Sequence, residues 1–313
     1  MILEMVGKAA GIGIIVSLQT APYRAPGKLT RIRARKIDMP FSQLFPDNDY
    51  QFQMRPRPSE PAAFFGPSAE SGVILAERRR WLREAPDVYS AHRSEGDALL
   101  DETIRLARHW GSLPAGELET LDAQVAPAEK CRLLGEFWEP DFLLLRPDLD
   151  GHFRLVSGCV CFPSSWALSE KIGKSLEQIH DAVPGLNEAA GKAIHTFLTR
   201  MKPGTGWMRE NWGLSASDER NQHPARNLPK LSATSAPESV LLRVEEQILC
   251  SLPETGGVLF GIRLRHHSLG EVWDQPEWHD RIERALRTMP EAMARYKNLA
   301  DWRKRFGDLK AGD

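Results

Sequence analysis

The sequence lacks the cysteine patterns of a disulfide framework or a zinc knuckle. Its four cysteines, Cys131, Cys159, Cys161 and Cys250, include no Cys-x-x-Cys pair. Cys159 and Cys161 stand two apart in an apolar run, so on a strand both side chains point to the same face. Such cysteines are usually buried thiols, and their pattern favours a reducing compartment. We therefore predict reduced cysteines and a cytoplasmic protein.

The sequence also lacks an excess of charge and a long apolar run. A net charge of −1 over 313 residues gives no electrostatic reason to expect a nucleic acid or a membrane as partner. The apolar run over residues 9–18 is far shorter than the ~20 residues that span a bilayer. A signal peptide is conceivable, but Lys8 is a meagre basic region and no convincing cleavage site follows. We expect residues 1–36 to form a mobile N-terminal arm.

Common enzyme signatures are missing as well. The sequence has no Gly-rich nucleotide loop, no Gly-x-Ser-x-Gly, no His-Glu-x-x-His and no motif for covalent heme attachment. We therefore looked for a catalytic or ligand-binding site among unusual side chains in separate segments of the second half of the sequence.

The order of apolar patterns predicts an α+β fold. Helical spacing covers residues 76–85, 95–110 and 127–137, and strand-like runs cover 141–146 and 152–162, which the turn residues 147–151 connect. Further along, we predict helices over 169–179 and 186–201, strands over 207–214, 239–249 and 258–264, and two helices within 276–308. Hairpin-length connections favour an antiparallel sheet with helices on one side.

The first candidate for chemistry is His180, which ends a predicted helix beside a Val-Pro-Gly turn. One interpretation is a cap, because an imidazolium is favoured at a helix C-terminus. The other is an axial ligand for a metal or heme, with apolar residues one turn behind it. His195, between Ile194 and Phe197, is more typical of a partly buried histidine than of a second ligand.

The second candidate is the segment Trp207-Met-Arg-Glu-Asn-Trp212. On a strand, Arg209 shares a face with Trp207 and Asn211. An arginine in this setting can bind a carboxylate of a ligand through two hydrogen bonds. The alternative is a cross-strand ion pair at the edge of the sheet.

The third candidate is the segment 242–247, in which Arg243, Glu245 and Gln247 line one face of a predicted strand. Arg243 and Glu245 can simply pair with each other. If this face is internal, each charge needs a ligand or a counter-ion, because an unpaired buried charge is costly.

Taken together, these segments resemble the family of the heme-dependent oxidative N-demethylase α subunit. The resemblance spans roughly residues 40–306, and its pieces are Asp141-Phe-Leu-Leu-Leu, Cys161-Phe-Pro-Ser-Ser-Trp166, Glu170-Lys-Ile-Gly173, Ile179-His-Asp-Ala-Val-Pro-Gly185, Arg209-Glu-Asn-Trp212, Leu242-Arg-Val-Glu-Glu-Gln247, Leu252-Pro-Glu-Thr-Gly256 and Tyr296-Lys-Asn-Leu-Ala300. Each piece is weak alone, but their common order is fairly specific.

The resemblance implies a PAS-like antiparallel sheet with helices packed around it and additional N- and C-terminal helices. A single heme-binding domain would cover 37–306, with a PAS-like core at about 139–270 and a tail at 307–313. It implies a noncovalent heme b that activates dioxygen to demethylate a small secondary amine. Electrons would come from a separate NADPH-dependent reductase with flavin and an iron–sulfur cluster.

The resemblance also implies roles for individual residues. His180 becomes the axial ligand of the iron, with Asp181 or a turn carbonyl near Pro184 as the partner of its second ring nitrogen. Arg209 and Arg243 become propionate or pocket residues. Further cofactor-binding candidates are Asn211, Trp212 and Glu245.

Two functions of other classes remain open beside the oxygen-dependent enzyme. One is a heme-based gas or redox sensor, although the sequence shows no kinase, cyclase or helix-turn-helix pattern. The other is a heme-free binding protein that kept the fold. A visible spectrum separates the heme-free protein from the other two, and NADPH-driven formaldehyde release separates the enzyme from the sensor.

Overall fold

The computed structural model describes residues 41–52 and 54–306. These residues belong to one compact unit, Asp38–Asp313. The arm predicted for 1–36 and the tail predicted for 307–313 lie outside the described residues. Among the residues described, no helix combines the length and the apolar character needed to cross a lipid bilayer.

The centre of the fold is an antiparallel sheet, which has seven strands within the described residues. Its strands are β1 (Arg57–Ser59), β2 (Ser90–His92), β3 (Asp141–Pro147), β4 (Phe153–Cys159), β5 (Gly206–Ser215), β6 (Leu241–Ser251) and β7 (Val258–Ser268). They are ordered β1-β5-β6-β7-β3-β4-β2. The predicted hairpin is present as β3 and β4, and the three later strands form a continuous meander of β5, β6 and β7.

Helices surround this sheet. They are α1 (Phe41–Leu44), α2 (Pro61–Phe65), α3 (Ser71–Glu84), α4 (Pro86–Tyr89), α5 (Asp97–Trp110), α6 (Ala115–Ala123), α7 (Pro127–Phe137), α8 (Leu176–His180), α9 (Lys192–Arg200), α10 (Leu269–Trp273), α11 (Pro276–Thr288) and α12 (Glu291–Tyr296). A π-helical turn, Asn187–Gly191, leads into α9. Short 3₁₀ turns are Ser94–Gly96, Leu168–Glu170, Pro224–Arg226, Pro237–Ser239 and Trp302–Phe306. The architecture is therefore α+β, as predicted.

The prediction that helices cover one side of the sheet is wrong, because both faces are covered. Phe142 and Leu144 point into a core shared with α3, α5 and α7. Leu143 and Leu145 point the other way, into a second core that includes residues of α8 and α9. Since side chains alternate along a strand, a fully apolar β3 needs a helical layer on each side.

The helix predicted over 169–179 is shorter than expected. Gly173 has a left-handed backbone, with φ +82°. Its N–H donates to Leu155 O at 2.7 Å, and Leu155 N–H donates to Lys174 O at 3.0 Å. These backbone groups bond to the edge of β4 instead of to a helix, so α8 begins only after Ser175.

The cysteine prediction is confirmed. Cys131, Cys159, Cys161 and Cys250 are all buried free thiols. Burial raises the pKa of Cys131 to about 11, so this thiol stays protonated and unreactive at neutral pH.

We predict that Gly158→Ala destabilises the protein. A Cβ at Gly158 would lie 2.6 Å from Phe142 O and 2.7 Å from Leu143 Cδ2, so the β3–β4 pair would have to separate. We expect a loss of about 1–3 kcal/mol in the free energy of unfolding, the usual cost of overpacking. Denaturant titration followed by circular dichroism measures it.

Gly213→Ala is the matched control, because a Cβ at this other strand glycine meets nothing within 4 Å. Its stability should stay within about 0.5 kcal/mol of wild type. Equal losses in the two variants would contradict the steric argument.

Candidate functional site

A cavity of about 360 Å³ lies between the sheet and the α8–α9 segment. This volume falls within the usual range of small-molecule pockets. Its walls are largely apolar and come from the strands β3, β4, β6 and β7 and from the helical side: Leu143, Leu145, Leu155, Leu249, Phe260, Ile262, Leu176, Ile179, Val183, Leu186, Ala190, Ile194 and Leu198. The lead-in segment before β1 and the chain after α12 also line it.

Helix α8 is fixed over this cavity by its cap. The Ser175 hydroxyl accepts from Gln178 N–H at 3.3 Å, and the Gln178 side chain accepts from Ser175 N–H at 2.9 Å. This reciprocal capping box starts the helix at a defined residue. His180 is then the last residue of α8, and its carbonyl accepts from Val183 N–H at 2.8 Å.

The imidazole of His180 faces the cavity, as a ligand would require. Burial lowers the pKa of His180, and the charges of Lys171 and Arg209 lower it further. The ring is therefore neutral at neutral pH, which is the form that binds a metal. No side chain of the described residues hydrogen-bonds to this ring. Asp181, one of the two partners predicted for this ring, instead accepts from Asn187 Nδ2 at 2.6 Å.

Arg209 enters the same cavity from β5. Its Nη1 contacts Met54 Sδ at 3.2 Å, and its buried Nε has no hydrogen-bond partner among the described residues. Burial lowers the pKa of this guanidinium. The cross-strand ion pair that the sequence left open is not formed, since no described carboxylate lies within salt-bridge distance of Arg209.

Two lysines add positive charge to the lining. Lys171 sits 4.4 Å from the centre of the Trp166 ring. Lys297 donates to Trp212 O at 2.7 Å, and burial lowers its pKa to about 8. Neither ammonium group has a carboxylate partner among the residues described. The charge of Glu245 acts on both only from a distance, and a cation that is only partly compensated in an apolar site is costly.

The carboxylate of Glu245 is the negative counterpart in the lining. It accepts hydrogen bonds from Ser164 at 2.5 Å, Gln247 at 2.8 Å and Asn211 at 3.2 Å. Burial alone would raise the pKa of Glu245, but the Ser164 bond, the charge of Arg243 and the two amide bonds lower it. Glu245 is therefore ionised at neutral pH.

Arg243 does not line this cavity. Its guanidinium donates to Phe162 O at 2.8 Å, Arg220 O at 2.9 Å and Ser164 Oγ at 2.9 Å. These bonds keep it beneath Ser164 and leave it no free donor directed at the cavity. Arg243 thus holds the Ser164 hydroxyl that donates to Glu245, and it lies outside the cavity lining in which a propionate contact was expected.

The remaining predicted residues do line the cavity. Asn211 lies between Glu245 and Lys297, whose Nζ is 3.5 Å from Asn211 Oδ1. Trp212 is buried, with its ring centre 4.7 Å from that of Phe45. His180, Arg209, Asn211, Trp212 and Glu245 are therefore brought together from two strands and a helix.

A family model described as haem-dependent oxidative N-demethylase, alpha subunit-like, matches residues 81–306. The chain belongs to this family. The match covers well over half of the sequence and includes all of the predicted site residues. The family description implies heme dependence, and its subunit label implies a system of more than one component.

The lining fits a heme on the evidence of its own residues. A heme presents an apolar ring, two carboxylates and an iron that accepts a neutral imidazole. The cavity offers apolar walls, the neutral ring of His180 and three cations with no carboxylate at salt-bridge distance, Lys171, Arg209 and Lys297. The unpartnered Nε of Arg209 is the kind of buried donor that a bound anion would satisfy.

Sequence reasoning missed several lining residues. Tyr50 comes from the lead-in, which has no clear period, and burial raises its pKa to about 12. Lys171 and Lys297 lie within two of the segments that carry the family resemblance. Their positions in those segments could have marked them as candidate site residues. What the sequence could not show is that both ammonium groups lack a carboxylate.

We predict that the cavity binds an anionic probe less tightly as the pH rises through about 8. Lys297 is charged below its pKa of about 8 and neutral above it. The affinity for 8-anilinonaphthalene-1-sulfonate should therefore fall by roughly fivefold between pH 7 and pH 9. Because a bound anion favours charged Lys297, the midpoint should lie near or slightly above pH 8. Fluorescence titration of heme-free protein measures this.

Lys297→Met should remove this step, whereas Lys130→Met should keep it. Lys130 is a matched control because its ammonium is paired with Asp101 at 3.2 Å and lies outside the cavity lining. A step of equal size in Lys297→Met would show that another group titrates.

Proposed function

We propose that this chain is the heme-binding, catalytic component of an oxidative N-demethylase that acts on a small secondary amine. Heme b would be held without a covalent link in the cavity, within a PAS-like core at about residues 139–270. The observation that carries the proposal is one apolar cavity that joins the neutral imidazole of His180 to three cations without carboxylate partners.

His180 is the residue we assign to the iron. It ends α8, its ring is neutral at working pH, and the apolar side chains of Ile179 and Val183 flank it in the lining. A neutral imidazole in an apolar setting is the proximal ligand of many heme proteins. The short helix is itself fixed by its capping box, which would limit the freedom of the ligand.

Arg209, Lys171 and Lys297 are the residues we assign to the two propionates. Pairing a carboxylate with a buried cation removes the cost that each charge carries alone. Trp212 and Asn211 border the same end of the cavity. Asn211 would act by holding Glu245 and Lys297 in place, since its amide contacts both side chains.

Glu245 is the residue we assign to the amine. Of the lining carboxylates, Asp49 is paired with Arg284 and Glu210 with Arg57. No described cation lies within salt-bridge distance of Glu245, which is ionised. A small secondary amine is a cation at neutral pH, so Glu245 can bind it by a charge-assisted hydrogen bond.

The proposed reaction balances with dioxygen and a two-electron donor. R–NH–CH₃, O₂, NADPH and H⁺ give R–NH₂, CH₂O, NADP⁺ and H₂O. The bound heme would supply the activation of dioxygen. The sequence has neither a nucleotide loop nor cysteine spacing for an iron–sulfur cluster. A separate NADPH-dependent flavin and iron–sulfur reductase would therefore deliver the electrons, in the cytoplasm.

We expect His180→Ala to lower the affinity for heme by at least about tenfold, because the iron loses its protein ligand. Titration of heme-free protein with hemin, followed at the Soret band, measures the affinity, and circular dichroism checks the fold. His109→Ala, an exposed histidine on α5, is the control and should bind heme like wild type. Full Soret absorbance in His180→Ala would assign the iron to another ligand.

The reconstituted system should release formaldehyde from a methylated secondary amine, with consumption of NADPH and dioxygen. Glu245→Gln should raise KM for the amine by roughly tenfold or more, because it removes the anion, while heme content stays unchanged. Formaldehyde assay across a panel of methylamines measures this. Heme binding without formaldehyde for any amine in the panel would favour the heme-based sensor instead.

A further inference from the structure

A second group of possible ligands lies outside the cavity, on the other side of α8. It consists of His152, Glu177 and His195, and one ligand atom from each lies within 4.8 Å of the others. His152 Nδ1 is 3.1 Å from Glu177 Oε1. The ring centres of His152 and His195 are 5.5 Å apart. These residues come from three separate elements that the fold brings to one point.

The local structure explains why the three residues meet. His152 follows the β3–β4 turn, where its N–H donates to Asp148 Oδ1 at 2.9 Å. Glu177 lies in the first turn of α8 and His195 lies on α9. The turn, α8 and α9 all pack over the same face of the sheet, so their side chains converge at its edge.

The geometry suits a four-coordinate divalent transition metal. Zinc takes two histidines and one carboxylate at about 2.0–2.2 Å, in tetrahedral geometry. That geometry requires ligand atoms about 3.3 Å apart. The His152–Glu177 distance of 3.1 Å already meets this requirement. The His195 atom, within 4.8 Å of both, would have to come closer by at most about 1.5 Å to reach that spacing.

Unsatisfied oxygens support a ligand at this point. Glu177 Oε2 is buried and has no hydrogen-bond partner among the described residues, and the same holds for Asn187 Oδ1. Both residues, with His195, line a small cavity of about 10 Å³, roughly the space of one water. Buried acceptors without donors are rare, and both would be relieved by a cation with a bound water.

We propose that His152, Glu177 and His195 form a site for a divalent transition metal of the zinc class, with a water as fourth ligand. Glu177 would bind through the carboxylate whose Oε1 already faces His152. Asn187 would accept a hydrogen bond from the bound water. The three proposed ligands include none of the residues assigned to the heme, although His180 also lines the small cavity beside them.

The metal would act as a structural clamp. It would tie the β3–β4 turn to α8 and α9, two elements that wall the cavity. Glu177 precedes His180 by three residues on the same short helix, so a clamp on Glu177 would also hold the C-terminal end of α8. A simple His152–Glu177 ion pair explains two of the three residues, but it leaves His195 and both unsatisfied oxygens without a role.

Isothermal titration of tag-free, full-length protein with ZnCl₂, after chelator dialysis and with its heme in place, tests the proposal. We expect one zinc per chain. His152→Ala, His195→Ala and Glu177→Gln should each weaken zinc binding by at least about tenfold, since even outer partners of a metal contribute tenfold or more. Zinc should also raise the melting temperature of wild type and not of these variants.

His279→Ala is the matched control, because His279 forms a comparable surface pair with Glu283 at 3.6 Å without a second histidine. It should bind zinc like wild type. His152 is exposed, so its variant should keep the metal-free melting temperature. Absence of zinc binding in wild type, or unchanged binding in both His152→Ala and His195→Ala, would overturn the proposal. An unchanged Soret band during the titration separates this result from any failure of heme binding.

Discussion

The buried charge inside the cavity is the constraint on which the arrangement of the site depends. Arg209, Lys297 and Lys171 are placed against apolar walls without carboxylate partners. The protein compensates only in part, through Trp212 O, the Met54 sulfur, the face of Trp166 and the more distant charge of Glu245. Such a site is costly when it holds no anion, and it binds a ligand with matching charge more strongly than a solvated surface would.

Both this cavity and the main core result from the apolar character of β3 and β4. The first five residues of β3 are all buried, so neither face of the sheet can be left to solvent. One face is closed by α3, α5 and α7, which pack it densely around Leu144. The other is closed by short, irregular elements, α8 and the π-helical turn before α9, which leave a cavity. Short and π-helical segments are frequent where a helix must leave room for function.

Much of the fold could be predicted from the sequence, because strand alternation and hairpin-length turns are local signals. The hairpin of β3 and β4 and the meander of β5, β6 and β7 follow from them. The edge strands β1 and β2 could not be predicted, since three residues carry no period. The predicted length of α8 was too great because the backbones of Gly173 and Lys174 bond to β4. A helical pattern in the sequence does not show such a contact between distant segments.

The site was predictable to the extent that its residues sit on strands. Alternation placed Arg209 with Asn211 on one strand face and Glu245 with Gln247 on another, and all four line the cavity. Arg243 shows the limit of the argument. Arg243 and Glu245 are two residues apart on β6, so alternation predicts the same face for both. The guanidinium of Arg243 instead donates to backbone carbonyls of two loops. Periodicity along a strand cannot predict contacts with loops.

The lead-in before β1 adds a wall that the rest of the fold does not supply. The lead-in contributes Tyr50, Phe52 and Met54 to the lining, and these residues lie before the matched region, which begins at residue 81. The residues assigned to the heme come from within that region, on β5, on α8 and around them. The residues that we propose for the cofactor therefore lie within the matched region, whereas the shape of the space beside them depends partly on a segment outside the match. Under the proposed function, selectivity among amines could consequently change through the lead-in without altering the residues proposed for the iron and the propionates.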